Sequence, residues 1–593
     1  MTDGESNPET TATTTAWLTR DWALWLVAVV VSAMSLLAMN EADPDLWGHV
    51  LYGREALRSG ELEMQSSWNY TAIGYRWINH ENLAELALAA ADNWAGAGGL
   101  LALKLSLSLL VLGLVTGRLL SRGVHPLTIG FIVLVLAQTI AFHWHFRPQV
   151  FGYALFAIVL TLLDWCFAGW AGAWWLRDPR TPTDAVPPYS SFRMRQLWWL
   201  VPIGAVWANT HGSFVAGACI VVAYLGLRAI EAFCMWGSAG WGRVKRFAMM
   251  ATALLLATLL NPYGPRLPLW MWEALNVPRP EIDDWERLPL LTGEALGFWT
   301  IVLTTIWASW RTRRIDFTHT VLLILLTWQG VSHIRHLPWL GMAWAFWMAG
   351  PLDQLRRGIV AEMNRHQSEA IIAAGSAPAP ASGRWWIQGG LVLWIATVVC
   401  TSWPQWTELR VNRGEYPVAA LQYMADHDLS GRTIVTFNWA QYALGCFDAA
   451  EMPSRVAFDG RFRTCYPQQV IDIYFDFLFG KGTTYPRYRS PLSPPVDPER
   501  ALRYEDPELI LISRKQQPAT NLMAQQSADW VLLYQDSLAQ VWGRRDLFDD
   551  PQSSRYVPVL ERQLTDQPQV GFAQWPAVPV ARHRQVPAQL VRR

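Results

Sequence analysis

Cysteine is scarce, six in 593 residues, too few and too scattered for a disulfide framework or a zinc ribbon. Cys166, Cys219, Cys234 and Cys400 lie in or beside apolar stretches and are expected to be packing residues. Cys446 and Cys465 are the pair outside those stretches, and a bridge between them is an option if that part of the chain meets an oxidising compartment. Charge is also thin. Charged residues make up 16% of the chain and the formal net charge is zero, so there is no basic field to hold nucleic acid. The first twenty residues have no basic leader segment and no small-residue cleavage site, so the apolar run that follows is expected to be an uncleaved first span.

Apolar residues, by contrast, are plentiful: 52% of the chain, gathered in long blocks, which excludes an ordinary soluble enzyme. The 36 tryptophans fit membrane-interface positions, where an amphipathic ring is stable. About 20 apolar residues make a helix that crosses the hydrocarbon. Candidate blocks lie near Trp22–Met39, Gly99–Leu120, Leu127–Phe142, Val150–Gly169, Leu197–Ala208, Phe214–Phe233, Phe247–Leu260, Leu296–Trp310, Phe317–Val331, Leu337–Pro351 and Trp385–Trp403. The expected fold class is therefore a polytopic α-helical membrane protein of about eleven spans. A cytoplasmic N-terminus puts the larger share of arginine and lysine on inner segments, in line with the positive-inside rule. The expected divisions are a cytoplasmic tail 1–21, a transmembrane domain 22–403 with a long first outer loop 40–98, an extracytoplasmic α/β domain 404–566, and a flexible tail 567–593.

That topology has a second consequence. His49, His80, His143, His145, His211, His333 and His336, with Asp43, Asp45, Arg147, Arg335 and the run Glu281-Ile282-Asp283-Asp284-Trp285-Glu286, all fall on the outer side. Ionisable groups at a membrane edge are costly unless they line a wet cavity or pair with one another, so their gathering on one face points to a functional site. Asp43 and Asp45, at the start of the first outer loop, could supply a general base or hard oxygen ligands for a divalent cation. Asp43-Pro44-Asp45 is also a helix-start signature, with Asp43 as N-cap and Pro44 at the first helical position. Arg147 and Arg335, with the histidines beside them, suit a phosphate or pyrophosphate; alternatively they anchor the helices by snorkelling. Glu281, Asp283 and Asp284 are further candidates for a cation site, though such runs are often solvated loops.

Beyond Trp403 the pattern changes to short β-branched runs between helical segments. Helices are expected at Val418–His427, Gln468–Phe479 and about Asn521–Ser527, and strands at Thr433–Phe437, Arg455–Phe458 and Leu509–Ser513, with a hairpin-like pair at Trp530–Tyr534 and Ala539–Trp542. This domain has no glycine-rich phosphate loop or nucleophile elbow, so its expected role is supporting.

Taken together, Asp43-Pro44-Asp45-Leu46-Trp47, Trp77-Ile78-Asn79-His80-Glu81, Phe146-Arg147-Pro148-Gln149, Trp207-Ala208-Asn209-Thr210-His211-Gly212, Asn261-Pro262-Tyr263-Gly264, His333-Ile334-Arg335-His336 and Phe458-Asp459-Gly460-Arg461 resemble a bacterial branch of the GT-C membrane glycosyltransferases. That superfamily includes oligosaccharyltransferase catalytic subunits, protein O-mannosyltransferases and aminoarabinose transferases. The resemblance implies an inverting enzyme of the bacterial inner membrane that passes a sugar from a polyprenyl-phosphate carrier to an acceptor on the extracytoplasmic face. It implies Asp43, then Asp45, as base or metal ligand, and His49, His80, His143, His145, Arg147, His333, Arg335 and His336 around the carrier phosphate. Magnesium or manganese is the implied cation. Oligosaccharyltransferases carry Trp-Trp-Asp-Tyr-Gly near the start of their soluble domain, where this chain has Asn438-Trp439-Ala440-Gln441-Tyr442, so a peptide acceptor does not carry over. The alternatives are a transporter or flippase, which would tend to show internal repeats that are not seen between the halves of this chain, and a non-catalytic membrane scaffold.

Overall fold

A computed structural model describes residues 20–170, 191–293, 295–312, 316–374, 384–482 and 487–580. Most of the expected N-terminal tail, and 581–593 of the expected C-terminal one, lie outside these. The chain forms two compact units, one of residues 1–39, 102–268 and 283–407, the other of 40–101, 269–282 and 408–593.

The first unit is helical, and a helix coincides with each of the apolar blocks. Four helical stretches are long and apolar enough to cross a membrane: Asn82–Ser121, Gln149–Cys166, Phe214–Ala257 and Trp385–Thr407. Pro126–Ala141 and Phe317–Ser332 are shorter apolar helices. The helix Leu337–Trp347 has no charged side chain and every residue in it is buried, as expected of a helix that is apolar all round. It packs against Pro126–Ala141, Gln149–Cys166 and Phe317–Ser332. Close approach is set by small residues: a Cβ on Gly217 would sit 2.3 Å from the Trp207 ring.

Charge inside this unit is paired. Asp164 accepts from Arg118 at 2.5 Å and from Arg122 at 2.8 Å, and the Lys104 ammonium donates to the Met39 carbonyl and lies 4.5 Å over the Phe146 ring. Arg228 is buried within the helix Phe214–Trp236. It pairs with Glu231 at 2.8 Å and Asp316 at 2.9 Å. An unpaired guanidinium at that depth would cost several kcal/mol.

The second unit is mixed α/β. Its strands are β1 (Arg410–Asn412), β2 (Arg432–Val435), β3 (Arg455–Val456), β4 (Leu509–Ser513), β5 (Trp530–Gln535), β6 (Ala539–Arg544), β7 (Gln563–Leu564) and β8 (Phe572–Gln574). Six form one sheet in the order β3-β2-β4-β6-β5-β7. β2 runs parallel to β3 and β4, β6 is antiparallel to β4 and β5, and β7 is parallel to β5. β4, Leu-Ile-Leu-Ile-Ser, is buried at every position, the signature of a strand covered on both faces. The helix Gln468–Phe479 has its expected bounds, whereas Ala440–Ala449 is a helix without an expected counterpart. Cys446 and Cys465 are both buried and free, so no bridge joins them.

Two boundaries differ from expectation. Residues 567–580 are not a loose tail, because β8 pairs antiparallel with β1. The long first loop is not an appendage of the helical unit but is built onto this sheet. The Tyr70 amide donates to Val456 and the Ile78 amide to Thr464, while Tyr52, Tyr70 and Trp77 share a core with Ile434, Phe458 and Ile510.

Candidate functional site

The first cluster lies in the second unit, where the first loop leaves Met39. Ala42 donates its amide to Arg410, and Asn40 donates its side-chain amide to Glu408, which fixes the strand-like entry. The chain then turns. Asp43 is 6% exposed and its Oδ1 accepts the Asp45 amide at 3.0 Å. The helix that follows runs Leu46–Ser59 with Asp45, not Asp43, at the N-cap position and no side-chain capping bond. Asp43 therefore closes the turn ahead of the helix, and neither carboxylate is used as a helix cap. The Asp45 carboxylate lies against Gly460, where a Cβ would come within 2.3 Å of its Oδ1. Gln441 fills the adjoining space, because a Cβ on Gly48 would meet its side chain at 2.4 Å. The Gln441 Oε1 is buried with no hydrogen-bond partner among the described residues.

One turn along this helix, the His49 Nδ1 is 3.2 Å from Glu85 Oε1, and the Asn79 amide donates to Glu85 Oε2 at 2.5 Å. Burial alone would push the His49 imidazole down. The hydrogen bond to Glu85 and the charges of Glu81, Glu85 and Asp45 outweigh it, raising His49 to about 9. Ligand atoms of His49, Glu81 and Glu85 lie within 4.8 Å of one another, so these three could hold a metal ion. One imidazole and two carboxylates suit a manganese- or zinc-like ion better than magnesium, which prefers an all-oxygen shell. Binding would displace the His49 proton. His80 stands beside this group, its Nε2 3.9 Å from Glu81 Oε1 and its ring 5.8 Å from that of Trp270.

The cation candidates named from sequence are dispersed. Glu281 belongs to the second unit and accepts the Tyr488 amide at 2.6 Å, with its carboxyl raised chiefly by burial. Asp284 belongs to the first unit, 3.6 Å from Arg147. The side chain of Asp283 lies outside the described residues. Among the described residues neither Asp43 nor any member of the Glu281–Glu286 run joins a three-ligand group. The His49–Glu85 contact left no trace of spacing, since its partners are 36 residues apart.

The second cluster is in the first unit, at the turns between helices. The turn 143–148 and the turn 333–336 are drawn together with the segment 284–286. The Ile334 amide donates to Glu286 at 3.0 Å. The Trp285 ring lies 5.4 Å from that of His333 and 6.3 Å from that of His336, and Arg335 stacks over it at 4.6 Å. His145 bonds its Nε2 to the Phe142 carbonyl at 2.7 Å. The Nε2 of His143 and the Nδ1 atoms of His333 and His336 are buried with no hydrogen-bond partner among the described residues. With the Ile334 and Gln329 carbonyls taking the other ring N–H of His143 and His336, the open nitrogens of these neutral rings are acceptors, and the donors for an acceptor-rich group are the two guanidiniums.

Burial, and then the neighbouring Arg335, hold His336 down at about 4. Burial likewise lowers His143 to about 4, with His145 and Arg335 acting in the same direction against the attraction of Asp284. Both are neutral at pH 7. An unfolded chain would take up these protons near pH 6.5, and the folded one refuses them until about pH 4. The stability that depends on the neutral rings is thus complete above pH 6.5 and is lost as pH falls toward 4. The thermal midpoint of the purified protein is expected to drop across that window, and His336→Gln should flatten the drop. An unchanged slope in that variant would mean that other groups govern it.

The remaining motifs are local turns. Ser213 donates its amide to His211 Nδ1 at 3.1 Å, and Asn261 Oδ1 accepts from Tyr263 at 2.8 Å.

No protein-family profile matches the chain, and no curated protein matches it. Among solved structures it is similar to the oligosaccharyltransferase AglB from Archaeoglobus fulgidus in complex with an inhibitory peptide and a dolichol-phosphate, at 10% identity and TM-score 0.49, covering 85% of this chain and 70% of that one. A structure of the Archaeoglobus fulgidus oligosaccharyltransferase in complex with zinc and sulfate matches at 9% identity and TM-score 0.46, over 82% and 68% of the two chains. ArnT from Cupriavidus metallidurans bound to undecaprenyl phosphate matches at 13% identity and TM-score 0.44, over 92% and 99%. These neighbours are GT-C superfamily members, the superfamily that the sequence motifs resemble. At such identities and scores the likeness carries nothing about substrate or mechanism, which rest on the residues themselves.

Proposed function

We propose that this protein is a membrane glycosyltransferase that moves a sugar from a polyprenyl-phosphate-linked donor to an acceptor. The observation that carries the reading is the gathering of Arg147 and Arg335 with the turns of His143, His333 and His336, in which the Arg335 guanidinium is stacked over Trp285 at 4.6 Å. Fixed positive charge and donors in a water-poor setting stabilise a phosphate most strongly as it becomes a leaving group. Asp43 is assigned as the base that draws the proton from the acceptor, with Asp45 as the second choice. A direct attack of the acceptor on the sugar carbon, opposite the departing phosphate, inverts that carbon. His49, Glu81 and Glu85 would hold a divalent cation, manganese before magnesium, which would supply charge neutralisation near the first loop.

The same reading places about eleven spans in a bacterial inner membrane, with the N-terminus in the cytoplasm and residues 404–566 on the extracytoplasmic face. It makes a peptide acceptor a poor choice, since Asn438-Trp439-Ala440-Gln441-Tyr442 stands in the place where oligosaccharyltransferases carry Trp-Trp-Asp-Tyr-Gly.

The test uses the full chain in proteoliposomes with a polyprenyl-phosphate-linked sugar. Free polyprenyl phosphate and a glycosylated or hydrolysed product of inverted configuration are expected. Movement of the intact donor across the bilayer without release of polyprenyl phosphate would replace this reading with a flippase.

A further inference from the structure

Within the second unit, the helix Leu46–Ser59 and the segment 61–85 enclose a cavity of about 320 Å³, within the range of small-molecule sites. One wall is aromatic. The Tyr52 ring is 5.1 Å from Trp77 and 6.1 Å from Trp68, and the Arg461 guanidinium lies 4.8 Å from Tyr52 and 4.7 Å from Trp77. Arg461 is held in turn by Asp459 at 2.8 Å, so the Tyr52 and Trp77 rings are braced. Trp68 is locked through its indole N–H to Glu63 at 2.9 Å.

The floor is polar and buried: Asn79, Asn82 and Glu85. The Asn82 Oδ1 and the Tyr52 hydroxyl are buried with no hydrogen-bond partner among the described residues, although Tyr52 and Asn82 are each only 4% exposed. Around the mouth Glu55, Glu61 and Glu63 outnumber Arg58, which is tied to Glu55 at 2.5 Å.

We propose that this cavity binds a single sugar ring that carries no anionic group. The half-buried Trp68 ring, backed by the buried Tyr52 and Trp77, offers flat apolar area to the C–H face of a pyranose. Ser59, Ser67 and Glu61 along the cavity offer groups for hydroxyl hydrogen bonds, and the excess of carboxylates disfavours phosphate-bearing ligands. This site goes beyond the transferase reading and does not require it.

The test is ligand-observed saturation-transfer NMR on the full chain in nanodiscs, with glucose, mannose, galactose, N-acetylglucosamine and glucosamine as probes and glucose 6-phosphate as the anionic counterpart. At least one of the five uncharged or amino sugars is expected to bind at millimolar concentration, with glucose 6-phosphate at least about tenfold weaker than glucose if glucose binds. Trp68→Ala should cut the response about tenfold, the loss of one stacking surface. Ser67→Trp, at an exposed position that needs no core rearrangement, should abolish it by filling the mouth. Asp43→Asn should leave binding intact, so failure of the catalytic assignment stays separate. The proposal is overturned if none of the five sugars binds, if glucose 6-phosphate binds as well as they do, or if both cavity variants bind like the parent chain.

Discussion

Replacing Asp43 by Asn is expected to lower sugar transfer by about 10²- to 10⁴-fold, the usual worth of a positioned general base, while leaving the fold intact. The expectation is sharp because the change is nearly isosteric. Asp43 Oδ1 accepts the Asp45 amide, and an asparagine carbonyl oxygen can do the same, so the turn ahead of the helix Leu46–Ser59 survives. What is lost is the negative charge and the capacity to take a proton. A thermal midpoint close to that of the parent chain would separate this from unfolding. Asp45→Asn should cost less if Asp45, set against Gly460, serves mainly to shape the electrostatics of its neighbour. A fully active Asp43→Asn, Asp45→Asn double variant would remove the assignment of a first-loop base altogether.

Arg335→Ala carries the second large expected effect, about 10²- to 10³-fold in kcat, by analogy with the removal of one electrostatic stabiliser of a developing anion. Arg335 is stacked on Trp285 at 4.6 Å, so its guanidinium is pre-oriented at little entropic cost on binding. Arg335→Lys keeps the charge but gives up the planar stack and the forked donors, and should recover only part of the rate. If the role is stabilisation of the leaving phosphate, kcat falls more than KM rises. A wild-type kcat with a raised KM for the donor would reduce Arg335 to a simple docking contact.

How far these residues could be read from sequence depends on the range of the physics that places them. Apolar blocks are a local signal, and a helix lies on each. β4 and the helix Gln468–Phe479 were equally legible, one a continuous apolar run and the other a 3.6-residue periodicity. The helix Ala440–Ala449 was not, being short and interrupted by Gly445 against the Trp47 ring. Arg228 falls inside the apolar block Phe214–Phe233, and what satisfies it there, Glu231 and Asp316, the latter 88 residues on, is set by tertiary packing. In the first cluster Asp43 and His49 were visible from the motif, but Glu85 was not. Only the folding of the first loop onto the sheet brings it to His49. In the second, the two histidine turns and Arg335 were visible, while the part played by Trp285 depends on tertiary packing alone.

The second unit is assembled from three stretches of chain, and this bears on how the protein is made. The Ala42 amide is satisfied by Arg410, Tyr416 donates its hydroxyl to Ala42, and Trp47 donates its indole N–H to Pro576. During synthesis the loop carrying Asp43 must therefore wait, incompletely bonded, until the chain has been made through Pro576. A nonsense mutation or proteolytic nick far downstream would leave that loop without its partners, and a separately supplied C-terminal fragment could restore it in trans.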